Sequence, residues 1–251
     1  MLGHVQRIPR LVLTHIDIRS GAELPVERHP FTLHTADGES LVAELALPVG
    51  KPPVATLICL HPLPTHGGFM ESHVMRKASN RLPYLADLAV LRFNTRGTES
   101  PQGKSTGAFD GGVAEQFDLE AAVAWAISRG LPNLWLLGWS FGTELTLKYG
   151  STQPVLGGIL LSPPLHRASQ RDLEKWNHVD KRVVGIIPEF DDYLKPDEAS
   201  VAFGSLRKFE QINVAGGKHL WVGEDQVYRV LSEIVGVVNP AALPLPTSVE
   251  L

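Results

Sequence analysis

The chain has 251 residues, 43% of them hydrophobic and 20% charged, and a formal net charge of −4. These values suit one globular α/β domain spanning 1–251, with residues 1–30 as an N-terminal arm and 239–251 as a tail, and they give no basic footprint for nucleic acid. The first residues lack the apolar core of a secretory signal and no apolar run approaches membrane-spanning length, so the expectation is a cytoplasmic protein without a membrane partner.

In chain order, Leu11-Val12-Leu13 is a candidate edge strand in an otherwise mixed opening segment. Phe31–Thr35 and Leu41–Leu47 read as two strands joined by a turn at Ala36-Asp37-Gly38-Glu39, an antiparallel hairpin. Val54–Leu60 is the first run apolar enough for a buried parallel strand. It contains the single cysteine, Cys59, which cannot form an internal disulfide and reads as a small core residue. A loop with Pro62, Pro64, Gly67 and Gly68 leads to a helix over about Ser72–Leu85, and Leu88–Phe93 is the next strand. Asn94–Gly112 is a long polar loop, a length associated with function. Val113–Ser128 is helical, with Glu115 and Asp118 in its first turns, where negative charge complements the helix dipole.

Leu134–Gly138 is again a short buried strand, and Gly138-Trp139-Ser140-Phe141-Gly142 follows before a helix over Thr143–Tyr149. Gly-x-Ser-x-Gly alone is a weak signal. Between a buried strand and a helix it is the context of a nucleophile elbow, where the serine sits strained at the apex and glycines let strand and helix nearly touch. Strands at Leu156–Leu161 and Arg182–Ile187, a helix at Asp197–Phe203, a strand at Glu210–Val214 and a helix at Trp221–Val237 complete the pattern. The tail from Asn239 is rich in residues that break regular structure and is expected to trail. The alternation predicts an α/β fold: a mostly parallel central sheet, helices on both faces and an opening antiparallel hairpin. About twenty residues separate Leu161 from Arg182, room for one helix and no substantial lid.

A serine hydroxyl needs an imidazole to take its proton and a carboxylate to orient that imidazole, in the chain order serine, acid, histidine. Of ten histidines, His219 alone follows the last strand, in the glycine-rich turn Ala215-Gly216-Gly217-Lys218-His219. His61 also ends a strand but precedes the serine, and is expected to order its own loop. The acid should follow Arg182–Ile187, where Glu189, Asp191 and Asp192 stand; Glu189 lies nearest the strand and is least able to reach across, leaving either aspartate. The N–H of Phe141, the residue after the serine, is one oxyanion donor. In His61-Pro62-Leu63-Pro64 the prolines have no N–H, which leaves Leu63 as the second.

The span Ala55–His219 resembles the α/β-hydrolase superfamily, and within it the cap-less, dienelactone-hydrolase-like bacterial serine hydrolases. The resemblance is carried by His61-Pro62-Leu63-Pro64-Thr65-His66-Gly67-Gly68-Phe69-Met70, Leu91-Arg92-Phe93-Asn94-Thr95-Arg96-Gly97, the elbow, and Gly217-Lys218-His219. It implies a Ser-Asp-His esterase-like site with no cofactor. Pro188-Glu189-Phe190-Asp191 matches the Gly-Glu-x-Asp spacing of similar hydrolases and favours Asp191, although Pro188 stands where a glycine is common.

The leading expectation is a serine hydrolase acting on a small ester, thioester or lactone, with a small-molecule acyl substrate as its partner. An acyltransferase or peptidase with the same residues, and a non-catalytic ligand-binding module, are the alternatives. His61, His66 and His73 match no zinc spacing, and Gly103-Lys104-Ser105 lacks the leading glycine of a phosphate loop. Trp139, Phe69, His166, Trp176 and Trp221 are candidate pocket residues, each equally able to serve as core.

Overall fold

The computed structural model describes residues 14–251; Leu11-Val12-Leu13 lies outside them. The strands are β1 (His15–Asp17), β2 (Glu27–His34), β3 (Ser40–Leu47), β4 (Ala55–Leu60), β5 (Leu88–Phe93), β6 (Glu99–Ser100), β7 (Gly103–Lys104), β8 (Leu134–Trp139), β9 (Gly157–Leu161), β10 (Arg182–Phe190), β11 (Phe209–Lys218) and β12 (Ser248–Glu250). The helices are α1 (His73–Ala86), α2 (Glu115–Ser128), α3 (Phe141–Tyr149), α4 (Gln170–Trp176), α5 (Pro196–Ala202) and α6 (Glu224–Val238). Eight strands form the central sheet in the order β11-β10-β9-β8-β4-β5-β3-β2. The β2–β3 and β3–β5 pairs are antiparallel and the remaining pairs are parallel. Pro30 sits in β2, where the outer edge of the sheet needs no N–H from it.

Every residue of β4, β5, β8 and β9 is buried, because the sheet is covered on both faces. The period of two then divides the side chains. Leu57 and Cys59 of β4, Leu137 and Trp139 of β8, and Ile159 and Leu161 of β9 pack with Val74, Met75 and Ala78 of α1 and Val230, Leu231 and Ile234 of α6. Ile58, Leu60, Leu134 and Leu136 face the other way, onto Leu119, Ala122 and Val123 of α2 and Leu145 of α3. Leu173 and Trp176 of α4, Ala199 of α5 and Phe203 just after it extend that second layer over Leu160 of β9 and Val183 and Ile187 of β10.

The chain runs β4, β5 and then returns past β4 to β8, so β4 and β8 are neighbours from which the chain departs in opposite directions. Their carboxyl ends, paired Leu60 to Gly138, form the switch point where α/β sheets place ligands. Only α4 occupies the connection from Leu161 to Arg182, which makes this a lidless form.

Several expectations change. The tail does not trail: β12 pairs antiparallel with β1, Leu245 is buried, and the Tyr228 hydroxyl donates to the Leu245 carbonyl at 2.8 Å. The long loop after β5 carries its own small hairpin, β6–β7, and β11 runs four residues past the expected end, carrying the sheet up to His219. Glu115 and Asp118 spend their charge on the preceding loop rather than on the dipole alone. Glu115 accepts the Asp110 and Gly112 N–H groups, and Asp118 accepts Arg96.

Candidate active site

Ser140 stands between β8 and α3 with φ 52° and ψ −115°, a conformation an L-residue adopts only where its surroundings impose it. Its neighbours explain how the turn closes. A Cβ on Gly142 would lie 1.9 Å from the Leu60 carbonyl oxygen, and one on Gly138 would lie 2.5 Å from Gly142 backbone atoms. The chain therefore bends here at the closest approach of β4, β8 and α3. The Ser140 N–H donates to the Leu161 carbonyl of β9, which ties the apex to the sheet.

His219 follows β11, and its Nε2 lies 2.9 Å from Ser140 Oγ. Its Nδ1 lies 3.0 Å from Asp191 Oδ2 and 3.2 Å from Oδ1. Asp191 follows β10 and is 2% exposed, and its Oδ1 also accepts the N–H groups of Tyr193 at 2.8 Å and Leu194 at 3.3 Å. With Nδ1–H donated to the Asp191 carboxylate, Nε2 is the ring nitrogen placed to accept the Ser140 hydroxyl. The His219 backbone is held too: its carbonyl accepts Trp139 Nε1–H at 3.1 Å and the Ser162 hydroxyl at 3.2 Å. Asp192 is exposed on the far side of His219, and Glu189 accepts the Gly216 N–H at 2.7 Å. Pro188 lies at an irregularity in the β10–β11 register, and its carbonyl accepts the Asp191 N–H in the turn that brings Asp191 inward.

The Leu63 loop is built around His61. That side chain is buried; its Nδ1–H donates to the Pro62 carbonyl at 2.7 Å while Nε2 accepts the Thr95 N–H at 3.0 Å. Burial pushes the imidazole down to about 4, so it stays neutral and can accept from Thr95. The role expected of His61, ordering its own loop, is the contact it makes. Asn94 accepts the Met70 N–H at 2.9 Å, and Arg92 donates to the Met70 carbonyl and to Glu44. Arg96 binds Asp118 and Asp37, whose carboxyl its hydrogen bonds hold down at about 2. The Arg-Phe-Asn-Thr-Arg-Gly stretch thus anchors the loops around the site. Among the described residues, neither the Leu63 nor the Phe141 N–H donates a hydrogen bond within the protein.

These groups open on a pocket of about 330 Å³ lined by Leu63, Ser140, Phe141, Arg167, Tyr193 and Leu220, among others. Of the candidate pocket residues, His166 lines it and Phe69 lines an adjoining hollow, whereas Trp139, Trp176 and Trp221 are core. Tyr193, edge-on to the His219 ring with centroids 4.7 Å apart, was not among the sequence candidates, nor was Arg167. The signal for Tyr193 was its place two residues beyond the acid, where the loop must turn back. Among the described residues, no group of three or more His, Cys, Asp or Glu side chains is placed to hold a metal, and no helix is long and apolar enough to cross a membrane.

No family model matches the chain. An uncharacterised protein of Rickettsia prowazekii (strain Madrid E) is 33% identical over 128 residues, covering 49% of this chain and 50% of its own, so the chain spans about half the length of the curated relative it matches. A serine hydrolase without a lid from Xanthomonas campestris superposes with a TM-score of 0.72 at 25% identity, over 90% of this chain and 100% of that one. An α/β serine hydrolase homologue from Coxiella burnetii gives 0.70 at 25% identity, over 84% and 97%. An esterase of Pyrococcus furiosus gives 0.67 at 19% identity, over 85% and 93%, a likeness of fold. With its eight-stranded sheet, its elbow at the β4–β8 switch point and its single short helix between β9 and β10, the chain has the lidless α/β-hydrolase fold of these structures.

Proposed function

We propose that this protein is a serine hydrolase that cleaves a small ester, thioester or lactone through an acyl-enzyme on Ser140. The observation that carries the reading is the continuous relay Ser140 Oγ, His219, Asp191, with two undonated N–H groups beside the serine. In the first step Oγ bonds to the substrate carbonyl carbon, the carbonyl electron pair moves to oxygen, and the Oγ proton passes to His219 Nε2. Asp191 keeps the imidazole in the tautomer that leaves Nε2 free, and stabilises the imidazolium that forms. The Leu63 and Phe141 N–H groups receive the oxyanion. Collapse of the intermediate breaks the bond to the leaving alkoxide or thiolate, which takes the proton from His219. Water then repeats the sequence at the acyl-enzyme, releasing the acid and restoring Ser140. No cofactor enters these steps.

Replacing Ser140 by Ala removes one oxygen from an apex held by backbone contacts, so the fold should persist while the nucleophile is lost. Turnover of a short-chain p-nitrophenyl ester should fall to background with an unchanged circular dichroism spectrum. A Ser140→Ala protein that keeps the parent's kcat would end the serine mechanism.

A further inference from the structure

Among the described residues that line the pocket, histidines aside, there is a single cation, Arg167, and no carboxylate. Asp191 lies behind His219 and is committed to it and to two backbone N–H groups. Among the described residues the Arg167 guanidinium has neither a salt bridge nor a hydrogen bond: it lies over the Phe141 ring, 5.5 Å from the centroid. A stacked guanidinium uses its face, which leaves the planar N–H edge free for a pair of oxygens.

The carboxylate that could have neutralised it does something else. Glu144, fully buried in the first turn of α3, accepts the backbone N–H groups of His166 at 2.7 Å, Arg167 at 3.0 Å and Ala168 at 2.5 Å. The loop after β9 is therefore pinned to the elbow helix by its backbone, and the Arg167 side chain is offered to the pocket unpaired. Its stem also packs near Gly112, where a Cβ would approach Arg167 Cδ to 3.6 Å. A cation held on both sides and left without a counter-ion beside the nucleophile is preorganised for an anion brought by the substrate.

We propose that Arg167 is a specificity-determining residue that binds a carboxylate carried by the substrate away from the reacting carbonyl, so that the substrate class is an anionic ester, thioester or lactone. The inference rests on the hydrolase reading of the same pocket.

The test compares esters of matched shape. The mono-p-nitrophenyl ester of adipate is set against p-nitrophenyl 6-methylheptanoate, in which an isopropyl group replaces the carboxylate. A second pair, 4-carboxyphenyl acetate and 4-isopropylphenyl acetate, puts the charge on the leaving group. The readout is the charged-to-neutral ratio of kcat/KM in the parent and in Arg167→Met, because intrinsic reactivity cancels when the ratios are compared. The ratio should fall about tenfold or more on Arg167→Met in one of the two pairs, as loss of a charge-assisted contact predicts, and Arg167→Lys should retain part of it. The pair that responds identifies the side of the scissile bond on which the anion lies. Ratios unchanged by Arg167→Met in both pairs overturn this inference and leave the hydrolase reading standing. A parent that turns over none of the four esters and does not react with a fluorophosphonate overturns both.

Discussion

Asp191 and Asp192 are adjacent and chemically alike, yet the turn after β10 buries one beside His219 and turns the other to solvent. Neighbouring side chains in an extended turn point to opposite sides, so only one could face the imidazole; the spacing shared with similar hydrolases favoured Asp191, while counting back from Pro196 fitted Asp192 nearly as well. The direction was set by the inward turn from Pro188, a contact between backbone groups that side-chain identity does not reveal. Under the proposed mechanism Asp191→Asn keeps the shape but favours the wrong tautomer of His219, and kcat should fall by about 10⁴, as in serine proteases. Asp192→Asn should stay within about tenfold of the parent, since that side chain serves only solvent and the rim. Collapse of the Asp192 variant with survival of the other would reverse the assignment.

His61 gives a second prediction at this scale, on stability rather than rate. Its imidazole is held near 4 by burial, against an ordinary 6.5. Below 6.5 the unfolded chain takes up a proton that the native chain refuses, so the native state's advantage is complete above that value and is lost as pH falls toward 4. Between pH 7.5 and pH 5 this one group should cost the parent about 2 kcal/mol of unfolding free energy. Urea titrations at both values should show that loss shrinking by a comparable amount in His61→Asn, whatever the variant's stability at pH 7.5. Equal pH dependence in parent and variant would show that His61 is protonated in the native state.

At the scale of elements, the site is an assembly of strand ends. Ser140 leaves β8, Leu63 follows β4, Asp191 leaves β10 and His219 leaves β11, so the parallel sheet gathers residues far apart in sequence along one edge. The strands were legible because each is a short run buried on both faces, and the elbow because glycines bracket its serine. The loops were less so. Gly68 illustrates why: it has no unusual φ, but a Cβ there would lie 2.1 Å from the Pro62 carbonyl oxygen, a restriction visible only once the loop is folded back on itself. Gly68→Ala should therefore displace the Leu63 N–H while sparing the sheet. A displacement of this kind should lower kcat about ten- to a hundredfold. Far-UV circular dichroism should be unchanged, and a variant with full kcat would remove Leu63 from the oxyanion site.

Across the whole molecule, the expected α/β architecture and the missing lid are what the structure contains, because alternation of buried strands with amphipathic helices leaves few topologies open. The misreading of the tail has a physical source. Its prolines suit it poorly to regular structure, but a broken segment can still dock, and pairing with β1 requires only Ser248–Glu250 to be extended. Pocket residues were the other weak point: tryptophans are large enough to fill either core or cleft, and burial decided for the core. The Glu144 anchor was hidden for the opposite reason, since a charged residue in a helix reads as solvated until its backbone partners are seen.

The central claim, that the relay at the β4–β8 switch point activates Ser140 as a nucleophile, is tested most directly by covalent labelling. The purified protein is treated with a fluorophosphonate and the modified peptide is mapped by mass spectrometry. The account predicts one adduct per chain, on Ser140, absent from Ser140→Ala and formed far more slowly in His219→Ala. No adduct on the parent protein, or an adduct that persists in Ser140→Ala, would contradict it.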